Sequence, residues 1–281
     1  MPELPEVETV VRQLAEAVPG LVISDVRVLQ PDLISSTPAF FRSETVGSAI
    51  ECVGRRGKNI VLTLSRSRIL VVNLGMTGQL LYLSSGFDES PEETPNLPSH
   101  PGVFFRFRPA GALVYADIRR FGSLRLFSPE EWRKESARLG PEPLCPSLDG
   151  KAFRDSLKKS RSPIRSWLLD QTKIAGVGNI YASEALFRAK IHPRTPARSL
   201  GRRESDRLLE AIRAVLSEAI EARGTTLRDY RTASGGRGGF GPSLRVYGRE
   251  GDPCPGCNTP IGRVVFANRS AFFCPSCQKG S

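Results

Sequence analysis

Four cysteines near the end of the chain fall into two pairs, Cys254-Pro-Gly-Cys257 and Cys274-Pro-Ser-Cys277, with sixteen residues between them. This C-x2-C-x16-C-x2-C spacing can set four thiolates tetrahedrally around one Zn2+, each pair turning at its Gly or Pro. A module so short has little apolar core, so the metal would supply much of its folding free energy. The competing use of four cysteines, two disulfides, belongs to oxidising compartments. The acidic start, Met1-Pro-Glu-Leu-Pro-Glu6, has no apolar stretch to act as a secretory leader. Cys52 and Cys145 stand alone and read as ordinary apolar or surface residues.

A second chemistry sits at the other end of the chain. Methionine followed by proline is normally trimmed, which would leave Pro2 with a free secondary amine. An α-amino group with a pKa of about 7.7–8.0 has a useful unprotonated fraction at neutral pH. Its attack on an aldehydic carbon gives an iminium, an electron sink that acidifies the neighbouring C–H. Glu3 and Glu6 stand beside it as candidate acid or base groups. The same residues also suit a plain helix start, with proline in the first turn and glutamates at the positive end of the dipole.

Two further segments could hold a polyanion. Gly176-Val-Gly178-Asn179-Ile-Tyr181 lies between two helical stretches, and the second helix could present its N-terminus to a phosphate. A simple structural turn is the alternative. Arg263 and Arg269 lie on a strand-like ribbon between the cysteine pairs, a device for reading a groove or holding a phosphate.

These groups are carried by 281 residues, enough for one large domain or two modest ones, and 40% of them are hydrophobic, which excludes wholesale disorder. No apolar run (Ile69 to Leu74, for instance) could span a bilayer, and a soluble intracellular chain is expected. The charge is lopsided. Residues 1–150 hold 16 basic and 18 acidic side chains, whereas residues 151–281 hold 24 and 11, so the net +11 comes from the second half. Basicity concentrated there suggests a nucleic-acid surface.

Apolar spacing predicts a helix from Pro5 to Val18, ended by Pro19-Gly20. Strands are predicted at Val22–Leu29, Ser48–Val53, Asn59–Leu64, Ile69–Leu74, Gln79–Leu83, Val103–Arg108, Ala112–Ala116 and Leu124–Phe127. The polar, proline-rich stretch Ser84 to Pro101 reads as a loop. This half is a β-sandwich or barrel with one leading helix. Ser128-Pro129-Glu130-Glu131 opens another helix, and Leu139-Gly-Pro-Glu-Pro-Leu144 reads as a rigid connector. Beyond it the period is helical, at Ala152–Lys159, Ile164–Gln171, Ile180–Ala189 and Arg203–Ala222. A glycine-rich loop (Ser234 to Gly241) and the cysteine module, with a hairpin of Gly262–Ala267 and Ser270–Phe273, complete an α+β chain.

In order, the N-terminal octapeptide Met1 to Glu8, Leu74-Gly-Met-Thr-Gly78, Asp117-Ile-Arg-Arg-Phe-Gly122, Leu139 to Leu144, Gly176 to Glu184, Val246-Tyr-Gly-Arg249 and the four cysteines resemble the bacterial formamidopyrimidine-DNA glycosylase family over essentially the whole chain. The resemblance implies a β-sandwich catalytic domain (1–133), a linker (134–150), a helix-two-turn-helix domain (151–240) and a zinc finger (241–281), with one structural Zn2+ on Cys254, Cys257, Cys274 and Cys277. It implies a monomeric DNA glycosylase and AP lyase of the bacterial cytoplasm, associated with the nucleoid. Its partner would be double-stranded DNA containing oxidised purines or abasic sites, held in a cleft between the domains, with no membrane involved.

The same resemblance assigns roles. Pro2 would attack C1′ and form a Schiff base, Glu3 would donate a proton, and Glu6 would support as a second carboxylate. Lys58 would assist β-elimination, and Arg269 at the finger tip would hold a phosphate and serve δ-elimination. Met76 and Phe121 would fill the stack vacated by a flipped base, and Arg119 would pair with the orphaned base; without the resemblance, Met76 and Phe121 would read as core residues at strand ends. His100, Arg161 and Asn179 would contact phosphates, with Arg161 standing where lysine is frequent. Around His100, Ser99-His100-Pro101-Gly102 keeps only the first histidine of the family's segment. Gly236-Arg-Gly-Gly-Phe240 departs from the family's lesion-capping loop, and its glycines predict mobility. Two other readings remain: a zinc-ribbon DNA-binding protein without catalysis, for which Pro2-Glu3 would have no use, and an oxidised-pyrimidine glycosylase of the endonuclease VIII type.

Overall fold

Leu4, Val7, Val10, Val11 and Leu14 recur at three- and four-residue intervals, and all are buried on one face of helix α1 (Leu4–Ala17). The structure is a computed structural model that describes residues 2–84, 98–266 and 269–279. Most of the expected proline-rich loop, 85–97, lies outside the described residues.

After α1 come β1 (Val22–Val28), β2 (Ile50–Arg56), β3 (Asn59–Leu64), β4 (Arg68–Asn73), β5 (Gly78–Leu83), β6 (Pro101–Arg108), β7 (Ala112–Asp117) and β8 (Ser123–Phe127). They form two antiparallel four-stranded sheets, in the orders β1-β6-β7-β5 and β2-β3-β4-β8. Strand β3 alternates and turns Ile60, Leu62 and Leu64 inward. Its register on β4, Ile60 opposite Val72 and Leu62 opposite Leu70, lines the inward residues up. They share one core with Val26, Phe105, Leu113 and Tyr115 of the other sheet and with the apolar face of α1. Each sheet keeps its own edges, so the fold is a sandwich rather than a barrel.

Helix α2 (Pro38–Thr45) was not predicted. Thr37 caps it, accepting from the Phe40 N–H at 3.3 Å, but only Phe41 and Thr45 are buried. One pair four residues apart is too short to show a period. Helix α3 (Pro129–Ser136) begins as expected: the Ser128 hydroxyl accepts from Glu131 N–H (3.2 Å) and the Glu131 carboxylate from Ser128 N–H (2.7 Å).

The chain forms two compact units. The first comprises Met1–Ala137 and Ala222–Gly239. Residues 222–239, which the resemblance assigns to a helix-two-turn-helix domain at 151–240, are part of this compact unit. Tyr230 and Ala233 are buried in its core. Tyr82 N–H donates to Ala233 O (2.9 Å) and Gln79 Nε2 to Asp229 O (2.8 Å), so this segment covers the β5 edge. The loop expected to be mobile has its backbone groups paired: Gly238 N–H donates to Thr226 Oγ1 (2.8 Å) and Gly239 N–H to Ala222 O (2.8 Å).

The second unit, Arg138–Glu221 and Phe240–Ser281, carries α4 (Gly150–Lys158), α5 (Ile164–Leu169), α6 (Asn179–Arg188), α7 (Arg202–Glu221) and the hairpin β9 (Gly262–Phe266) and β10 (Arg269–Phe273). Helix α7 buries Leu208, Ile212, Val215 and Leu216, and Phe153 meets Trp167 edge to face at 5.5 Å. Arg213 of α7 donates to the carbonyls of Pro143 (2.9 Å) and Leu148 (2.6 Å), which fixes the connector. Glu184 of α6, fully buried, accepts from the N–H groups of Arg245, Val246 and Tyr247 at 3.0, 3.0 and 2.9 Å and anchors the approach to the cysteine module. No described helix is long and apolar enough to cross a membrane.

Candidate functional site

Pro2 is buried at the start of α1, with Glu3 as the N-cap residue. The buried Glu6 carboxylate accepts from Glu3 N–H (2.8 Å) through Oε2 and from Thr225 N–H (2.7 Å) through Oε1. Tyr230 donates its hydroxyl to Glu6 O at 3.2 Å, and burial, then the Glu6 charge, push its phenol up. Glu6 thus ties the chain start to the 222–239 segment. Lys58 sits in the β2–β3 turn. Arg55 holds that turn to α1, donating from Nε to Glu8 (2.8 Å) and from Nη1 to Gly57 O (2.9 Å).

Two turns of the sandwich, 74–78 and 117–122, meet back to back. A β-carbon on Gly75, whose φ is +54°, would lie 2.5 Å from Gly122 N, and one on Gly122 would collide with the Tyr115 hydroxyl. The Asp117 carboxylate straps the turns together. It is 2% exposed and accepts from Thr77 Oγ1 (2.5 Å), Arg119 N–H (3.2 Å), Gly122 N–H (2.8 Å) and Tyr115 Oη (3.3 Å). Burial, reinforced by Asp117, pushes the Tyr115 phenol up and keeps it a donor. The strapped turns present Met76 and Phe121 to solvent, 39% and 60% exposed, with the Arg119 guanidinium 4.6 Å from the Phe121 ring centre. Neither apolar residue is a core residue. His100, exposed, adjoins this feature: its carbonyl accepts from Asp117 N–H at 3.2 Å.

In the second unit the link from α5 to α6 is two successive turns. Asp170 Oδ1 accepts from Thr172 N–H (2.9 Å), and Gln171 accepts from Gly176 N–H (2.8 Å) while donating to Val177 O (2.9 Å). Helix α6 then opens with Gly178 as N-cap and Asn179 in its first turn. Asn179 Nδ2 donates to Ser270 O (3.0 Å), so the candidate phosphate ligand on α6 is joined to β10, whose first residue is the exposed Arg269. Arg165 completes this contact, donating to Asn179 Oδ1 at 2.7 Å. Arg161 is exposed ahead of α5. The roles of Asp117 and Arg165 depend on one long-range partner each, Thr77 at 40 residues and Ser270 at 105, beside nearer ones at Arg119, Gly122, Tyr115 and Asn179.

The four sulfurs of Cys254, Cys257, Cys274 and Cys277 lie within 4.8 Å of one another, with Sγ–Sγ separations of 3.4, 3.5 and 3.9 Å for three pairs. Bonds of 2.3 Å to a tetrahedral Zn2+ require edges of about 3.8 Å, and a disulfide requires about 2.05 Å. The donor set therefore fits one structural zinc. Thr259 hydrogen bonds pull the Cys257 thiol down to about 6, and a hydrogen bond to Cys257 pushes the Cys277 thiol up to about 12. Cys52 and Cys145 are exposed and take no part.

Three family models match the chain: the formamidopyrimidine-DNA glycosylase N-terminal domain over residues 1–124, its H2TH domain over 139–231, and the zinc finger found in FPG and IleRS over 251–280. Formamidopyrimidine-DNA glycosylase of Cereibacter sphaeroides is 43% identical over 283 residues, covering 99% of this chain and 100% of its own. That of Heliobacterium modesticaldum is 43% identical with the same coverage. Among solved structures, a Lactococcus lactis FPG mutant bound to Fapy-dG-containing DNA aligns with a TM-score of 0.90 at 33% identity, covering 99% of this chain and 100% of that one. MutM in complex with DNA containing carbocyclic 8-oxo-G aligns with a TM-score of 0.89 at 33% identity and the same coverage. Full-length identity of this order, together with the matched domains, places the chain in the formamidopyrimidine-DNA glycosylase family.

Proposed function

We propose that the protein is a bifunctional DNA glycosylase and AP lyase that excises oxidised purines, 8-oxoguanine and formamidopyrimidines, from duplex DNA. The observation that carries the reading is the wedge: two large apolar side chains held in solvent by strapped, glycine-backed turns, beside a stacked guanidinium. Extruding a base costs a few kcal/mol and leaves a gap in the stack. Met76 and Phe121 fill that gap, and Arg119 pairs with the orphaned base.

The reaction requires a chain trimmed to Pro2, whose amine attacks C1′ as Glu3 delivers a proton and the damaged base departs. The opened sugar is then an iminium on Pro2. Loss of a C2′ proton, assisted by Lys58, expels the 3′ phosphate, and a second elimination, served by Arg269, expels the 5′ phosphate. Glu6 holds the chain start in place for these steps. His100, Arg161 and Asn179 hold strand phosphates, and zinc maintains the hairpin that carries Arg269. The names of the relatives, and the DNA containing Fapy-dG, an abasic site or carbocyclic 8-oxo-G in the similar structures, support the substrate class. The protein works as a monomer on the bacterial nucleoid. A zinc-ribbon binding protein would use Glu3 and Glu6 only to cap α1 and tie it to 222–239, and would have no use for an amine at Pro2.

The test is strand incision of duplexes carrying one 8-oxoguanine, one oxidised pyrimidine or no lesion. The reading expects a one-nucleotide gap with phosphates at both ends, made fastest at 8-oxoguanine. Binding without cutting, or preference for the pyrimidine, would overturn it.

A further inference from the structure

Arg165 is a buried guanidinium with no carboxylate partner among the described residues. It is 2% exposed, its Nη2 donates to Asn179 Oδ1 (2.7 Å) and Ser270 O (3.3 Å), and its Nε is buried without a partner. No described carboxylate is among these partners. The face of Phe266 lies 5.1 Å from the guanidinium carbon, and Arg194 stands 5.3 Å from the same ring. Burial and then the charge of Arg269 depress the Arg165 pKa. Burying a charge without a counter-ion is costly, so the group is hard to explain as a contributor to the stability of the free protein.

We infer that Arg165 is a positioning residue for the reaction proposed above, on which this inference rests: it acts through Asn179 and the Ser270 carbonyl to aim two phosphate ligands at one DNA strand. Arginine has only donors to offer. The Asn179 amide must therefore turn Oδ1 towards it, which leaves Nδ2 with one hydrogen on Ser270 O and one for an incoming phosphate oxygen. Ser270 follows Arg269 directly, so the shared carbonyl also sets the strand from which Arg269 reaches. Asn179, Ser270 and Arg165 close a triangle of 2.7, 3.0 and 3.3 Å bonds between α6, β10 and α5. Arg165, Arg194 and Arg269 leave positive potential at the Asn179 end of α6, and the anion that neutralises it is a DNA phosphate.

The test compares Arg165→Met, Arg165→Lys and Arg165→Gln, alone and with Asn179→Ala, on a duplex holding an abasic-site analogue, with zinc content and circular dichroism as folding controls. Losing one charge-assisted hydrogen bond that orients a ligand should weaken binding by Arg165→Met about tenfold or more. Arg165→Lys, which keeps the charge and one bond, should fall between. In the Asn179→Ala background the same Met substitution should cost less than about twofold, since the two residues act as one unit. The slope of log affinity against log salt should stay within about half a phosphate of the parent value, because Arg165 itself touches no phosphate. Additive losses, or a slope lowered by about 0.9, would overturn the inference. Should the Met variant not fold, the Lys and Gln variants carry the same comparison. If the parent protein cuts no oxidised-purine duplex, the proposed function fails; if it cuts and the losses add, only the role of Arg165 fails.

Discussion

Replacing Asp117 by asparagine should loosen the wedge while leaving its exposed side chains in place. The carboxylate accepts from four donors, two on each oxygen. An amide has one acceptor oxygen and one NH2, so either orientation turns an N–H towards two of those donors. The milder choice keeps the oxygen on Thr77 and Arg119 and places the NH2 against Gly122 N–H, while Tyr115, already 3.2 Å from Asn73 O, turns its hydroxyl there. One charge-assisted bond is then lost and one buried N–H stranded, about 2–4 kcal/mol together. For a unit of this size that corresponds to a fall of about 5–15 °C in Tm. Differential scanning calorimetry measures the fall, and single-turnover excision from an 8-oxoguanine duplex measures the functional cost, which should exceed the loss on a preformed abasic site. A variant within about 0.5 kcal/mol of the parent, excising at the parental rate, would refute the claim that this carboxylate straps the two turns.

Phe121→Ala should change stability by no more than about 0.5 kcal/mol, against about 3–5 kcal/mol for a core phenylalanine. Its excision rate should fall far more on 8-oxoguanine duplexes than on abasic ones, and equal losses on both would remove it from base extrusion. Elemental analysis should find one zinc per chain, and chelating it should weaken binding to lesion duplexes; full affinity without metal would contradict the role given to the hairpin. Arg269→Ala, at an exposed position, should lose incision while its melting point stays near that of the parent. Matching losses of both would make Arg269 a structural residue.

What could be read from the sequence was what is encoded locally. The Ser128 capping box, the apolar stripe of α1, the alternation of β3 and the cysteine spacing each involve partners a few residues apart or chemistry with fixed intervals. Sheet order is not local, and β1 pairing with β6 across some 80 residues leaves no mark on either strand. The return of 222–239 to the sandwich depends on Tyr230 reaching Glu6 and Thr225 N–H meeting its carboxylate, contacts spanning more than 200 residues. In that loop the glycines also let the backbone approach and pair closely, which composition does not show. Burial of Asp117 and Arg165 is likewise absent from the sequence, although Asp117 heads a motif that carries the resemblance. A buried charge looks like any surface charge until the groups that surround it are in place.

The most direct test of the account is to reduce the enzyme–DNA intermediate with borohydride and map the linked residue. Intact mass of the free protein should show a chain starting at Pro2, and digestion of the trapped complex should place the sugar on that residue's nitrogen. Adding one residue ahead of Pro2 should abolish trapping and cutting together. A cross-link found on a lysine, or full activity in a chain that retains Met1, would contradict the account.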